Sequence, residues 1–422
     1  MTTMTKTAEW IPRLLRSIDE RDWDTFVSYL TDDAEFRYGS GSTAVGRESI
    51  KSAADMAVSP FAAVEHEIVS VWEGPDSTVV EGKVTYEWPD GYRQTLGFVN
   101  RFMMRDSLIA KYHIFIDPSP LFRPRPGSLG AYMGVARAPF LLLPFMLVAA
   151  GAAAQGWAGG FHLGRTLLAL LGLVATHIAV NALNEASDYD TGIDLETMKT
   201  PFSGGSGTLP EGLLDAGRAR VLGYGALLVA AFCAAWLFAQ IGRPLVPLVL
   251  AGLVLVLGYT PWFTRLGIGE LAAGLGLGYL PVIGTAVVQT GDAATAAVAA
   301  AVPAFFMTFN LLLLNEFPDE IADRSGGRRN LVLMFGRRGA AKIFVTAAAL
   351  TVLAVVGFVA AGIIPVWCLL AVLPAWYLRD AIKWAMTDPS RAVPIGALAG
   401  NVFWNLGTNL MLAIGFVLAM VL

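Results

Sequence analysis

The chain has 422 residues, 55% of them hydrophobic and only 15% charged. Such apolarity excludes an ordinary soluble enzyme, and a net charge of −4 gives no footing for nucleic-acid binding. The charge is uneven. Residues 1–126 hold 33 of the 64 charged side chains, so the front reads as a soluble domain and the remainder as a membrane domain. Cys233 and Cys368 lie in apolar runs and read as buried thiols rather than a disulfide. The opening MTTMTKTAEW lacks the apolar core of a signal peptide.

Residues 9–30 carry apolar residues at helical spacing: Trp10, Leu14, Leu15 and Ile18, then Trp23, Phe26, Val27 and Leu30. A short strand is predicted over Ala34–Tyr38 and a helix over Arg47–Ala57. Four strand-like runs follow, at Val64–Trp72, Thr78–Trp88, Tyr92–Met104 and Leu108–Asp117. Gly74-Pro75-Asp76 and Pro89-Asp90-Gly91 supply turns between them. Helices followed by an antiparallel meander make an α+β domain. Tyr38, Trp88, His113 and Asp117 are candidate pocket groups. A period of two sets Lys111, His113, Phe115 and Asp117 on one face of the last strand. His113 and Asp117 are then either an acid–base pair or a satisfied strand residue and a strand end.

This element order, with Trp23 to Phe36 (WDTFVSYLTDDAEF) and Lys111 to Asp117 (KYHIFID), resembles the SnoaL-like branch of the nuclear-transport-factor fold. The resemblance implies a cone: a curved antiparallel sheet wrapped on helices. Such cones serve isomerisation, cyclisation or plain binding, so fold alone does not assign a role.

Three segments are expected: a soluble domain at 1–120, a proline-rich linker at 121–129 and a membrane domain at 130–422. In the last, about nine apolar stretches reach spanning length, near 134–155, 163–185, 217–239, 243–260, 268–290, 294–316, 340–362, 364–383 and 394–421. Helices are the expected spans, since lipid satisfies no backbone polar group. Of the sixteen Lys and Arg beyond the linker, all but Arg165 and Arg243 fall on one side of a nine-span arrangement. The positive-inside rule places that side, with the front domain, in the cytoplasm and the C-terminus opposite.

Fifteen Asp and Glu lie beyond residue 127, and nine of them fall in the windows 185–196 and 316–323. Asn181, Asn184 and Asp188 follow i, i+3, i+7 on one helix face, with Asp190 and Asp194 beyond. Asn315, Asp319 and Asp323 follow i, i+4, i+8 on another. Carboxylates are costly beside lipid and usually functional there. Two unit charges about 6 Å apart repel by roughly 3 kcal/mol at an effective dielectric near 20, so a shared cavity calls for a cation. An oxygen-only ligand set suits Mg²⁺ better than zinc. Lys199, Arg265, Arg328 and Arg329 in the adjoining loops add cations, and acids with Mg²⁺ and Lys/Arg describe a diphosphate site.

Asn181 to Asp194 (NALNEASDYDTGID) looks like the first aspartate motif of the UbiA superfamily of intramembrane prenyltransferases, in its menaquinone-pathway branch. Asp319 to Gly336 (DEIADRSGGRRNLVLMFG) resembles the second motif, with a strand-like run before its glycine. Tyr259 to Glu270 (YTPWFTRLGIGE) resembles the tyrosine-containing loop between them. The resemblance implies that Asn184, Asp188, Asp319 and Asp323 hold Mg²⁺ and the donor diphosphate. Asn181, Asp194 and Asn315 support that site, and Tyr259, Lys199, Arg265 and Arg328 bind or release the diphosphate. The implied partners are a polyprenyl diphosphate, an aromatic acceptor such as a dihydroxynaphthoate-like quinone precursor, and the bilayer. Glu185, Glu316, Pro318 and Lys199-Thr200-Pro201 depart from the family pattern and leave the acceptor open. Two alternatives stand beside this reading. One is prenyl transfer to a lipid or sugar phosphate, or terpene cyclisation. The other is an ion-coupled transporter whose carboxylates line the path.

Overall fold

The computed structural model describes residues 9–192 and 205–422, which form two compact units, Met1–Arg123 and Pro124–Leu422. Each is described separately.

In the first unit, α1 (Trp10–Asp19) buries Ile11, Leu14, Leu15 and Ile18 along one stripe. The expected single helical stretch is two helices. Arg21 takes a left-handed φ of 56°, and Asp22 then caps α2 (Trp23–Ser28) by accepting from the Thr25 N–H at 3.1 Å. Strand β1 (Leu30–Tyr38) starts earlier than expected, and a two-residue β2 (Ala44–Val45) precedes α3 (Arg47–Val58). The long strands are β3 (Ala63–Glu73), β4 (Ser77–Glu87), β5 (Arg93–Arg105) and β6 (Leu108–Ile116). The sheet order is β2-β1-β6-β5-β4-β3. The β3 to β6 run is the antiparallel meander, but β1 joins β6 in parallel, so the sheet is mixed. A parallel neighbour needs a long crossover, and α3 with four strands, β2 to β5, supplies it. Register shifts at Ile68/Ser70 and Met103/Met104 mark the bulges that curve the sheet. Phe26, Ile50, Val80, Phe102 and Tyr112 are fully or almost fully buried in the core between helices and sheet.

In the second unit all nine apolar stretches recur as elements, and seven are helices long and apolar enough to cross a membrane. After α4 (Leu129–Val135) come α5 (Leu142–Trp157), α6 (Leu163–Thr191), α7 (Ala216–Ile241) and α8 (Val246–Gly258). Then follow α9 (Gly269–Thr290), α10 (Thr295–Ser325) and α11 (Leu331–Ala360). A 3₁₀ run (Val366–Leu378), α12 (Arg379–Thr387) and α13 (Ile395–Val421) complete it. The two stretches short of spanning length are α8, continued by a π-helical turn at Tyr259–Phe263, and the 3₁₀ run. Helices α9 and α10 are the most enclosed. Their close approach rests on Gly278, where a β-carbon would stand 2.4 Å from the Ala304 carbonyl oxygen. The run expected to be strand-like is the first turn of α11. Gly336, at φ 68° and ψ 164°, breaks that helix where a side chain would be strained.

Candidate active site

The membrane unit encloses a cavity of about 1130 Å³ bounded by α6, α7, α8, α9 and α10. Most of its wall is Leu, Val, Ala and Gly. Most of its polar groups come from the C-terminal ends of α6 and α10, the segment Arg328–Asn330, and Tyr259 at the π-helical turn. A π turn inserts one residue into the helical ladder and re-aims its neighbours, a device common at functional sites.

Helical periodicity sets each polar row. Asn181, Asn184 and Asp188 from α6, and Asn315, Asp319 and Asp323 from α10, all line this one cavity. Asp188 and Asp323 are 5% and 3% exposed. Arg328 lies between them. Its guanidinium donates to Asp188, to Asp323 at 3.4 Å and to the Asn184 side-chain oxygen at 3.4 Å. Asn184 Nδ2 donates to the second Asp188 oxygen at 2.8 Å. Asn330 caps α11 through the Leu333 N–H at 2.9 Å and donates to Asp323 at 2.9 Å. Burial works against the charge on Arg328, but Asp188 and Asp323 outweigh it and hold the guanidinium above the ordinary arginine range. Among the described residues no three His, Cys, Asp or Glu side chains stand close enough together to chelate a metal. Two carboxylates from separate helices, turned toward one guanidinium that the Asn184 side-chain oxygen also meets, nevertheless fit a hard divalent ion by donor type.

Other expected residues lie elsewhere. Arg265 is exposed and not part of the cavity wall, whereas Arg329 and Arg137 are. Asn181 lines the cavity while donating to the Ala136 carbonyl at 3.0 Å. Asp190 points away and pairs with Arg220. Asp194 and Lys199 lie outside the described residues. Glu185 is fully buried and accepts from the Ser206 N–H at 3.3 Å and from its hydroxyl, which ties down the chain entering α7. Glu316 lines the cavity, and Glu270 Oε1 accepts the Leu331 N–H at 2.6 Å. Of the groups overlooked in the sequence, Asn330 had a legible signal, a capping residue ahead of an apolar helix. Glu270 and Arg137 had none.

Arg337 braces the α10 end. It donates to the carbonyls of Phe317 at 3.1 Å, Pro389 at 2.8 Å and Arg391 at 2.8 Å, and to Glu320 at 3.1 Å. Pro318 supplies no N–H to the ladder here, so this clamp matters more than usual. Arg337→Ala is expected to cost about 2–3 kcal/mol, read as a lower midpoint in thermal unfolding of the detergent-solubilised protein.

In the front unit, the His113–Asp117 pairing is not formed. Tyr112 and Ile114 of β6 turn to the core, so His113 and Phe115 face outward. Four residues of strand separate His113 from Asp117 by about 13 Å. His113 Nε2 sits 3.3 Å from the Gly39 carbonyl, and Asp117 accepts the Ser119 N–H at 3.0 Å beyond the strand end. Tyr38 meets the Tyr86 hydroxyl at 3.2 Å, and Trp88 packs edge-on against Phe61.

Comparisons with known proteins agree with both halves. A model of the UbiA prenyltransferase family matches residues 142–407, and a model of the SnoaL-like domain matches residues 11–112. The chain belongs to the UbiA prenyltransferase family: it is an integral membrane prenyltransferase with a SnoaL-like α+β domain at its front. It is similar to 1,4-dihydroxy-2-naphthoate octaprenyltransferase of Bacillus subtilis (strain 168), with 26% identity over 250 residues, 57% of this chain and 78% of that one. Among solved structures, TerC co-crystallised with polyporic acid is 22% identical over 27% of this chain and 93% of its own, with a TM-score of 0.25. A LEH-like epoxide hydrolase of M. tuberculosis is 16% identical over 26% of this chain and 83% of its own, with a TM-score of 0.24.

Proposed function

We propose that residues 130–422 transfer a polyprenyl group from an isoprenoid diphosphate to an aromatic, quinone-precursor-like acceptor, with Mg²⁺ as cofactor. The observation that carries this reading is the meeting of Asp188 and Asp323, from two helices, on Arg328 at one cavity with an apolar wall. The name of the B. subtilis relative supports the acceptor class.

Asn184, Asp188, Asp319 and Asp323 are the residues that would hold Mg²⁺. When bound, Mg²⁺ supplies positive charge that stabilises diphosphate as a leaving group. Arg328 and Arg329 offer guanidinium forks matched to phosphate oxygens. Tyr259 offers a hydroxyl donor at the same end. The leucine and valine walls hold the prenyl chain and exclude water, so the allylic cation left by ionisation survives until an acceptor carbon attacks. The excess of Lys and Arg on one side supports a cytoplasmic donor end and front domain, with the C-terminus opposite.

The test is purified full-length protein with MgCl₂, several polyprenyl diphosphates and a panel of acceptors, read by mass spectrometry. The expected product is donor prenyl plus an aromatic acceptor, lost on adding EDTA and restored by Mg²⁺. Adducts only with glycerol or sugar phosphates, a cyclised terpene, or no donor turnover at all would each reject the aromatic reading.

A further inference from the structure

Two segments roof the charged end of the cavity in the membrane unit. One runs from Tyr259 to Gly269 and the other from Arg324 to Lys342. Their inner sides belong to the site: Tyr259, Thr264 and Gly269 from the first, and Arg328, Arg329 and Asn330 from the second, line the cavity. Their outer sides have no task in prenyl transfer. The two segments are tied to each other. The Arg329 N–H donates to the Thr264 carbonyl at 2.8 Å. Gly267, at a left-handed φ of 79°, lies so close to the first turn of α11 that a β-carbon there would stand 2.5 Å from Met334 Sδ.

On the outside, Trp262, Leu266 and Phe335 are 58%, 62% and 57% exposed, and Ile268 and Met334 are open as well. Basic side chains accompany them. Arg265, Arg338 and Lys342 are exposed, with Arg329 at the cavity rim. No Asp or Glu occurs in 259–269 or 324–342. Arg324, Arg328 and Arg337 pair with Glu320, Asp188 and Asp323, whereas Arg265, Arg338 and Lys342 have no ion pair among the described residues. An apolar, aromatic surface at the end of membrane-spanning helices belongs at the level of lipid head groups, where tryptophan is enriched. Unneutralised cations beside it complement the net charge of an anionic lipid rather than the balanced charge of a zwitterionic one. A free phosphate ion would match the cations but leave Trp262, Leu266 and Phe335 in water.

We infer that this outer face is a docking surface for the head groups of anionic phospholipid, and that the docked lipid holds the roof over the cavity. The coupling is mechanical. Trp262 and Arg265 lie on the same short segment as Tyr259 and Thr264, and the backbone bond from Arg329 to Thr264 joins that segment to the second. Fixing the outside of the roof therefore fixes Tyr259 and Arg329 on its inside. The effect on turnover rests on the prenyl-transfer reading above, whereas the binding of lipid does not.

The experiment uses full-length protein in nanodiscs of phosphatidylcholine, alone or with about a third phosphatidylglycerol, each lipid brominated in turn. The emission missing from Trp262→Phe isolates the Trp262 signal from that of the other tryptophans. Brominated phosphatidylglycerol is expected to quench that signal at least about fivefold more, mole for mole, than brominated phosphatidylcholine. Arg265→Gln with Arg338→Gln should bring the two lipids to parity. Arg265→Lys with Arg338→Lys should keep the preference, because only the charge is required. Donor turnover should rise by about fivefold when phosphatidylglycerol is present, and the double Gln variant should lose that rise. Equal quenching by the two lipids, no quenching by either, or a preference abolished by inorganic phosphate would each overturn the docking surface. A lipid preference with no change in turnover would overturn the hold on the roof. No turnover in either lipid would reject the prenyl-transfer reading and with it that hold, while the quenching still decides the docking surface.

Discussion

Asp188→Asn and Asp323→Asn together are expected to lower prenyl transfer by at least about a thousandfold in kcat/KM, since each removes a charged group worth about 10²–10³ where charge develops. The substitutions keep size and hydrogen-bonding shape, so the loss reports charge rather than packing. Both carboxylates contact Arg328, and they come from α6 and α10 respectively. Neither helix alone can therefore rebuild the site. The single variants should each show a partial loss, and their free-energy effects should not add, because the two groups share one partner. Steady-state assays with one donor and a saturating acceptor measure this directly. Turnover that survives in the double variant would sink the donor-site assignment and return the carboxylates to a transport role. Ion flux in proteoliposomes would then be the activity to measure.

How much of this was legible in the sequence depends on the range of the interactions. Period-two and period-3.6 patterns place the long strands and the apolar helices to within a few residues, because burial of one face is a local constraint. The front helix was read as one stretch because Trp23 and Phe26 continue the apolar rhythm of Ile18. The break is a backbone event at Arg21, with an Asp22 cap, that periodicity does not register. The parallel pairing of β1 with β6 depends on chain crossover rather than on residue type. At the site, helical spacing identified two faces, and the cavity joins them. What spacing could not convey is the partner of those faces. Arg328 is 140 residues from Asp188 in sequence, and Arg265, equally basic, turns to the surface. His113 was a conspicuous histidine, but strand alternation carries it to the outer face once Tyr112 fills the core.

Arg328→Ala is expected to separate the two tasks of the guanidinium. In the free protein it neutralises Asp188 and Asp323, with only 20% of its own side chain exposed. Its removal leaves two buried carboxylates facing each other. Breaking a buried pair in this way costs about 3–5 kcal/mol, so the thermal midpoint without metal should fall. Mg²⁺ should then raise the variant's midpoint by more than it raises that of wild type, since the ion no longer competes with an internal cation for the same oxygens. Turnover should nonetheless drop by about 10²–10³, because the fork that receives the diphosphate is gone. Arg328→Lys should recover much of the stability but little of the rate, since a point charge replaces the charge without the planar fork. Differential scanning fluorimetry across a Mg²⁺ titration, run beside donor-turnover assays, measures both effects. A variant that loses stability and also loses its response to Mg²⁺ would mean that Arg328 builds the site rather than occupying the cation's place in it.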